Sequence, residues 1–277
     1  GLQTFREVLQ NSSNPGFVEI GRRLGKKRIY NYVKKFGLTQ KTGVDLPGES
    51  CGIMFDYKNF HELEQATVAF GQGISVTPLQ LVSAISACVN GGYLLQPHIL
   101  KEVRNNNNEI IYQAKRKVKR QVIKEETAKK VRDALESVVT DGGGRNAYID
   151  GYRIGGKTGT AQKAVNGSYV GGGYILSFVG IAPIDDPQIV LYIAMDNPKN
   201  CIQYGGTTVA PIARKMLLDI LPALNVKKVK SQRQKSFSVM DKKTIKVENY
   251  IGKQRKEVQN ISLRFQFEGK GSVVIDQ

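Results

Sequence analysis

Lys157-Thr158-Gly159-Thr160, preceded by Gly155-Gly156, is the run whose residue types could do most chemistry. Two mechanisms use such a run. In the first, Gly151 to Thr158 reads Gly-x-x-x-x-Gly-Lys-Thr, a loop whose backbone N–H groups and lysine cradle phosphate. The apolar run Ile189 to Met195 followed by Asp196 would then be the strand that holds the metal. In the second, a Ser-x-x-Lys nucleophile, a Ser-x-Asn element and a Lys-Thr-Gly strand converge for serine acyl transfer. Ser12-Ser13-Asn14 supplies the middle element and Lys157-Thr158-Gly159 the last.

The flanking residues decide between them. A phosphate loop needs a buried parallel strand before it and a long helix after it, so that N–H groups and the helix N-terminus converge on the ligand. Gly143 to Asp150 do not read as a buried strand, and Asn166-Gly167 and Gly171-Gly172-Gly173 would break a following helix. Pro183-Ile184-Asp185-Asp186-Pro187 is too short for a crossover helix, so Ile175 to Ala182 and Ile189 to Met195 are expected as an antiparallel hairpin. The nucleotide-hydrolase reading is therefore disfavoured.

The elements that must position the acyl-transfer set follow from periodicity and breakers. Leu2, Phe5, Val8 and Leu9 predict a first helix ending at the Asn11 to Gly16 break, with further helices over about 17–24 and 29–36. Thr77, Pro78 and Asn90-Gly91-Gly92 bound a buried helix over Pro78 to Val89. Ile110 to Val118 is expected to be extended, and Glu125 to Val139 to be an amphipathic helix with Ala128, Val131, Leu135 and Val138 inward. Strands over Tyr152 to Thr160, 175–182 and 189–195 precede a closing helix over Thr208 to Leu221. Residues 1–224 make the main domain, 225–241 a polar basic linker, and 242–277 a small α+β segment too short to fold securely alone.

Net charge is +17, which favours an anionic partner. Eleven Lys or Arg lie between Lys227 and Lys256, and a second cluster runs from Lys115 to Arg120. Neither carries the aromatic interleaving or the motif of a nucleic-acid reader, so no nucleic-acid partner is expected; anionic lipid or wall polymer fits the same bias. Cys51, Cys88 and Cys201 are far apart in sequence and His61 and His98 have no spaced ligand partners, so neither a metal site nor a disulfide framework nor a histidine triad is supported. No apolar run is long enough to span a bilayer, and the first residues do not read as a signal peptide.

Ser12-Ser13-Asn14 resembles one motif of the class B penicillin-binding protein transpeptidases. So do Gly43 to Glu49, Phe70-Gly71-Gln72-Gly73-Ile74 with Thr77-Pro78-Leu79-Gln80, and Asn90-Gly91-Gly92 with Pro97. Gly156 to Gln162, Phe178-Val179-Gly180 and Ala210-Pro211 extend the resemblance over nearly the whole chain. It implies the α/β fold of penicillin-binding proteins and serine β-lactamases, an antiparallel sheet flanked by helices. The implied reaction is peptidoglycan D,D-transpeptidation through a serine acyl-enzyme, with no cofactor. Stem peptides and β-lactams would be ligands, and a divisome or sporulation glycosyltransferase a partner.

By the same resemblance Ser12 would relay a proton, Lys157 would hold charge beside the nucleophile, and Asn14 would bind the substrate backbone or side-chain amide. Thr158 and Thr160 would take the substrate carboxylate on the Gly159 strand, and the Thr160 N–H would be one of two oxyanion donors. No serine here is followed three residues later by lysine. The nucleophile and the membrane anchor are expected upstream of Gly1, on the extracytoplasmic face, so that this polypeptide alone should not be acylated. Two sheet strands would be missing with them, leaving apolar surface exposed. A non-catalytic wall-binding protein of the same fold is the alternative. Val247 to Lys253 and Gly269 to Gln277 resemble part of a PASTA module, which implies a Gram-positive division or sporulation enzyme, with the spore-cortex type preferred.

Overall fold

The computed structural model describes residues 2–165, 169 and 173–229. The helices are α1 (Phe5–Gln10), α2 (Asn14–Leu24), α3 (Lys26–Lys35), α4 (Glu62–Ala69), α5 (Pro78–Val89), α6 (Glu125–Thr140), α7 (Gly205–Thr208) and α8 (Ala210–Ala223). The strands are β1 (Ile53–Met54), β2 (Ile74–Ser75), β3 (Tyr93–Leu95), β4 (Glu102–Arg104), β5 (Ile110–Gln113), β6 (Val118–Gln121), β7 (Gly155–Gln162), β8 (Tyr174–Ala182) and β9 (Ile189–Asp196). The PASTA-like segment and the linker beyond Val229 lie outside the described residues.

The central sheet is three-stranded and antiparallel, in the order β7-β8-β9. Gly155 pairs with Ile181 and Gln162 with Tyr174, while Ile175 pairs with Asp196 and Ala182 with Ile189. The expected hairpin is therefore present. Helices cover both faces of β8, which explains why it is apolar almost throughout rather than alternating. Leu176, Phe178 and Ala182 pack with Ala213, Leu217 and Leu221 of α8. Val179 and Ile181 point the other way, onto Val89 of α5 and Leu135 of α6. A sheet filled from both sides holds β7 rigidly along one edge.

A second group of elements packs around Ile29, Tyr30 and Phe60, with Tyr30 edge-on to Tyr57 and to Phe60. Gln80 links the surrounding loops to α5. Only 1 % of it is exposed, and its Nε2 donates to the Gln40 and Cys51 carbonyls while its Oε1 accepts from the Thr77 N–H. Buried amides are tolerated when their donors and acceptors are matched in this way.

Several expectations need correcting. Tyr152 and Ile154 are core residues that precede the strand, which begins at Gly155, because only from there does the backbone find partners on β8. The extended stretch over Ile110 to Val118 is two strands of different sheets: β5 pairs with β4, and β6 begins at Val118 and pairs with β3. In the first helix Val8 is buried but Leu2 and Phe5 are exposed, since the helix starts only at Phe5, capped by Thr4 and Glu7. The phosphate-loop alternative fails: Gly155-Gly156-Lys157-Thr158 lies inside an antiparallel strand and not in a turn before a helix.

Candidate active site

The Ser-Ser-Asn motif occupies the turn between α1 and α2. Ser12 N–H donates to the Leu9 carbonyl and Ser13 N–H to that of Val8, so the turn is fastened to the end of α1. Ser13 is the N-cap of α2, its hydroxyl accepting from Gly16 N–H. Asn14 begins α2 and is exposed. Ser12 has φ = 52°, a left-handed conformation that costs a side-chain-bearing residue energy and is often retained at functional positions.

Lys157 reaches this turn from β7. Its Nζ donates to Ser12 Oγ at 2.8 Å and to the Thr158 carbonyl at 2.9 Å, bridging 145 positions of sequence. Burial is the cause that lowers its pKa from the usual 10.5 to about 8, because a desolvated ammonium is disfavoured. A neutral fraction of Lys157 is thus present near neutral pH. The pair can exchange a proton along an existing hydrogen bond.

The rest of β7 supplies the wall beside this pair. Thr158 is buried, with its hydroxyl 3.5 Å from Lys157 Nζ, and Thr160 is exposed. Thr160 Oγ1 accepts from the Gly205 N–H at 3.2 Å. A Cβ on Gly205 would meet the Gly159 and Ser177 carbonyls at 2.5 Å each, so only glycine lets α7 sit this close to the sheet. Asn146 Nδ2 donates to the Gly206 carbonyl, and Gly143 N–H donates to that of Gln10. The 142–146 loop therefore touches both the turn that bears Ser12 and the turn beside Thr160.

Ser12, Lys157 and Thr158 are brought together as the sequence predicted, with Gly159 and Thr160 continuing along the same strand. Asn14 lies two positions from Ser12 on the first turn of α2. Sequence reasoning missed Gly205, Asn146 and Gly143. The doublet Gly205-Gly206 was the available signal, since paired glycines before Ala210-Pro211 indicate close backbone approach.

A serine held by a strand lysine, on an antiparallel sheet covered by helices, is the arrangement of a serine acyl-transfer fold. Residues 1–218 match the penicillin-binding protein transpeptidase domain, and the chain belongs to that family. Over its whole length it is 51% identical to Stage V sporulation protein D of Bacillus subtilis (strain 168), covering 43% of that protein. This agrees with the sporulation subtype the resemblance implied. It is also 32% identical, over 81% of its length, to a probable peptidoglycan D,D-transpeptidase PenA of Neisseria meningitidis, covering 37% of it. The chain thus spans less than half the length of these relatives. Among solved structures, penicillin-binding protein 3 of Mycobacterium tuberculosis complexed with ampicillin superimposes with a TM-score of 0.77 at 33% identity, over 83% of this chain and 53% of that one.

Proposed function

We propose that this chain forms the proton-relay and carboxylate-binding walls of a peptidoglycan D,D-transpeptidase that acts outside the cell membrane and binds β-lactams. The observation that carries the reading is the 2.8 Å bond from Lys157 Nζ to Ser12 Oγ.

In the reaction a serine from a Ser-x-x-Lys segment attacks the penultimate D-alanyl carbonyl, terminal D-alanine leaves, and an amine of a second stem peptide resolves the ester. This chain contributes the proton path. With Lys157 donating to its oxygen, the Ser12 hydroxyl is free to give its own proton to the departing nitrogen and to recover one from Lys157. Thr160 has its oxygen engaged by Gly205 N–H, so its hydroxyl proton is available to the terminal carboxylate of the substrate. Lys157 in its charged form adds attraction for the same carboxylate. Asn14, exposed beside Ser12, makes no side-chain hydrogen bond among the described residues and can hold a substrate amide. By the family resemblance the β7 backbone N–H of Thr160 would be an oxyanion donor.

Covalent labelling with fluorescent penicillin tests this, on the chain and on a form extended upstream to include a Ser-x-x-Lys segment, each beside its Lys157→Ala variant. Labelling of the extended form alone, weakened about a hundredfold or more by the substitution, is expected. A folded but unlabelled extended form would favour the wall-binding protein without catalysis.

A further inference from the structure

α2 carries the Asn14 end of the site at its start and reaches a strongly basic surface at its finish, about 16 Å away at 1.5 Å per residue. There Gly25, with φ = 79°, turns the chain directly from α2 into α3. No acidic residue occurs between Glu19 and Asp45, while Arg22, Arg23, Lys26, Lys27, Arg28, Lys34, Lys35 and Lys41 all fall there.

Not all of this charge is free. Arg22 and Arg23 share Glu19, and Lys26 lies over the Tyr57 ring and close enough to Glu64 to help lower its pKa. Lys27, Arg28, Lys34 and Lys35 have no acidic partner: among the described residues no salt bridge reaches any of them, and all four are exposed, although Lys34 and Lys35 lie over the Tyr30 and Tyr32 rings of their own helix. At 100° per residue they and Asn31 fall in one stripe about 120° wide, opposite the inward Ile29, Tyr30 and Val33. An ordinary solvated helix mixes both signs on its outer face. α3 also has no acidic residue and no side-chain cap in its first turn, where three cations face the positive end of the helix dipole. The helix keeps its charge against its own stability.

The geometry points to this stripe as a docking surface for the peptide-bearing glycan strand that carries the reacting stem peptide, held through its repeated carboxylates. The inference rests on the transpeptidase reading. A polymer whose stem peptide enters the site beside Asn14 has its neighbouring stems within reach of α3, and exposed cations spaced along a helix suit carboxylates spaced along a strand. A bilayer would need an apolar wedge. Among the described residues of 20–44 the large exposed apolar side chains are Leu24 and Tyr32, and Tyr32 lies under Lys35. The same cover removes it as a base-stacking platform for nucleic acid.

The test is co-sedimentation of the 277-residue chain with cell-wall sacculi stripped of other polymers, with their carboxylates intact or chemically amidated. The wild-type chain should bind intact sacculi better than amidated ones. Replacing Lys27, Arg28, Lys34 and Lys35 together by Gln should weaken that binding roughly tenfold at low salt. The control K115Q/R116Q/K117Q, in the other basic cluster, should change it less than twofold. Far-UV circular dichroism and thermal melting establish that both variants are folded. Equal losses in the two variants, no loss in the α3 variant, or binding to anionic vesicles or teichoic acid in place of stripped sacculi would each overturn the inference. Penicillin labelling of the extended wild-type form reports on the transpeptidase reading separately. If that form labels and the α3 variant still binds sacculi as wild type does, this inference alone falls.

Discussion

The backbone N–H of Gly205 donates to Thr160 Oγ1 at 3.2 Å, and this bond sets which way the hydroxyl proton points. Thr160→Val in a labelling-competent form should cut acylation about tenfold to a hundredfold, the worth of one hydrogen bond to a charged group. Gly205→Ala should give a loss of similar size without touching any substrate atom, because its methyl group would push α7 off the Gly159 and Ser177 carbonyls. Acylation kinetics across carboxylate-bearing β-lactams check both. An unaltered rate in Gly205→Ala would show that the bond does not orient Thr160.

Lys157 gives a pH dependence with a definite sign. Its folded-state pKa of about 8 lies below the usual 10.5, so between those values the unfolded chain holds more protons than the folded one. Stability must therefore rise with pH across that window, and the contribution is absent below about pH 8. Urea midpoints of the wild type and Lys157→Met at pH 7 and pH 10 isolate it, since other groups cancel in the difference. The wild type should gain on the variant as pH increases. Acylation by the extended form should instead fall through about pH 8, because both the proton returned to Ser12 and the attraction for carboxylate come from protonated Lys157.

Three adjacent residues should separate stability from activity. Ser12→Ala should cost at least a hundredfold in acylation. Asn14→Ala, at an exposed helix start, should change stability by less than about 0.5 kcal/mol yet weaken acylation. Ser13→Ala removes a helix cap whose bond is long at 3.4 Å, and should cost about 0.5 kcal/mol with acylation retained. Thermal melts paired with labelling rates distinguish the three patterns.

Gln80 should be among the most sensitive positions away from the site. Gln80→Leu keeps most of the volume but strands the Gln40 and Cys51 carbonyls and the Thr77 N–H, at a cost of about 2–4 kcal/mol. Chemical denaturation measures it. A loss below about 0.5 kcal/mol would mean that water replaces the amide.

Legibility in the sequence followed the physics of each element. Pro78–Val89 could be bounded at both ends because Thr77, Pro78 and Asn90 are local signals. The β8–β9 hairpin was readable because the six-residue connection from Pro183 to Gln188 is too short for a crossover helix. α4 escaped notice because none of its residues is buried and Leu63 is 71% exposed, so no apolar stripe marks it. β3, β4 and β6 are three or four residues long, too short to show a period. At the site, Ser12 and Lys157 carried motif signals, whereas Gly205 and Gly143 act through backbone N–H groups, which no motif displays, and Asn146 through a side-chain amide aimed at a carbonyl 60 positions away.

The left-handed backbone of Ser12 sets two demands on one position against each other. Glycine would relax that turn, and a selection for thermal robustness alone would drift toward Ser12→Gly. Such a chain would survive heating better while losing the hydroxyl that Lys157 serves. A library screened only for soluble expression would therefore enrich for inactive molecules at this residue. The tolerance of position 12 to glycine thus measures how strongly the Ser12 hydroxyl, rather than folding, constrains the protein.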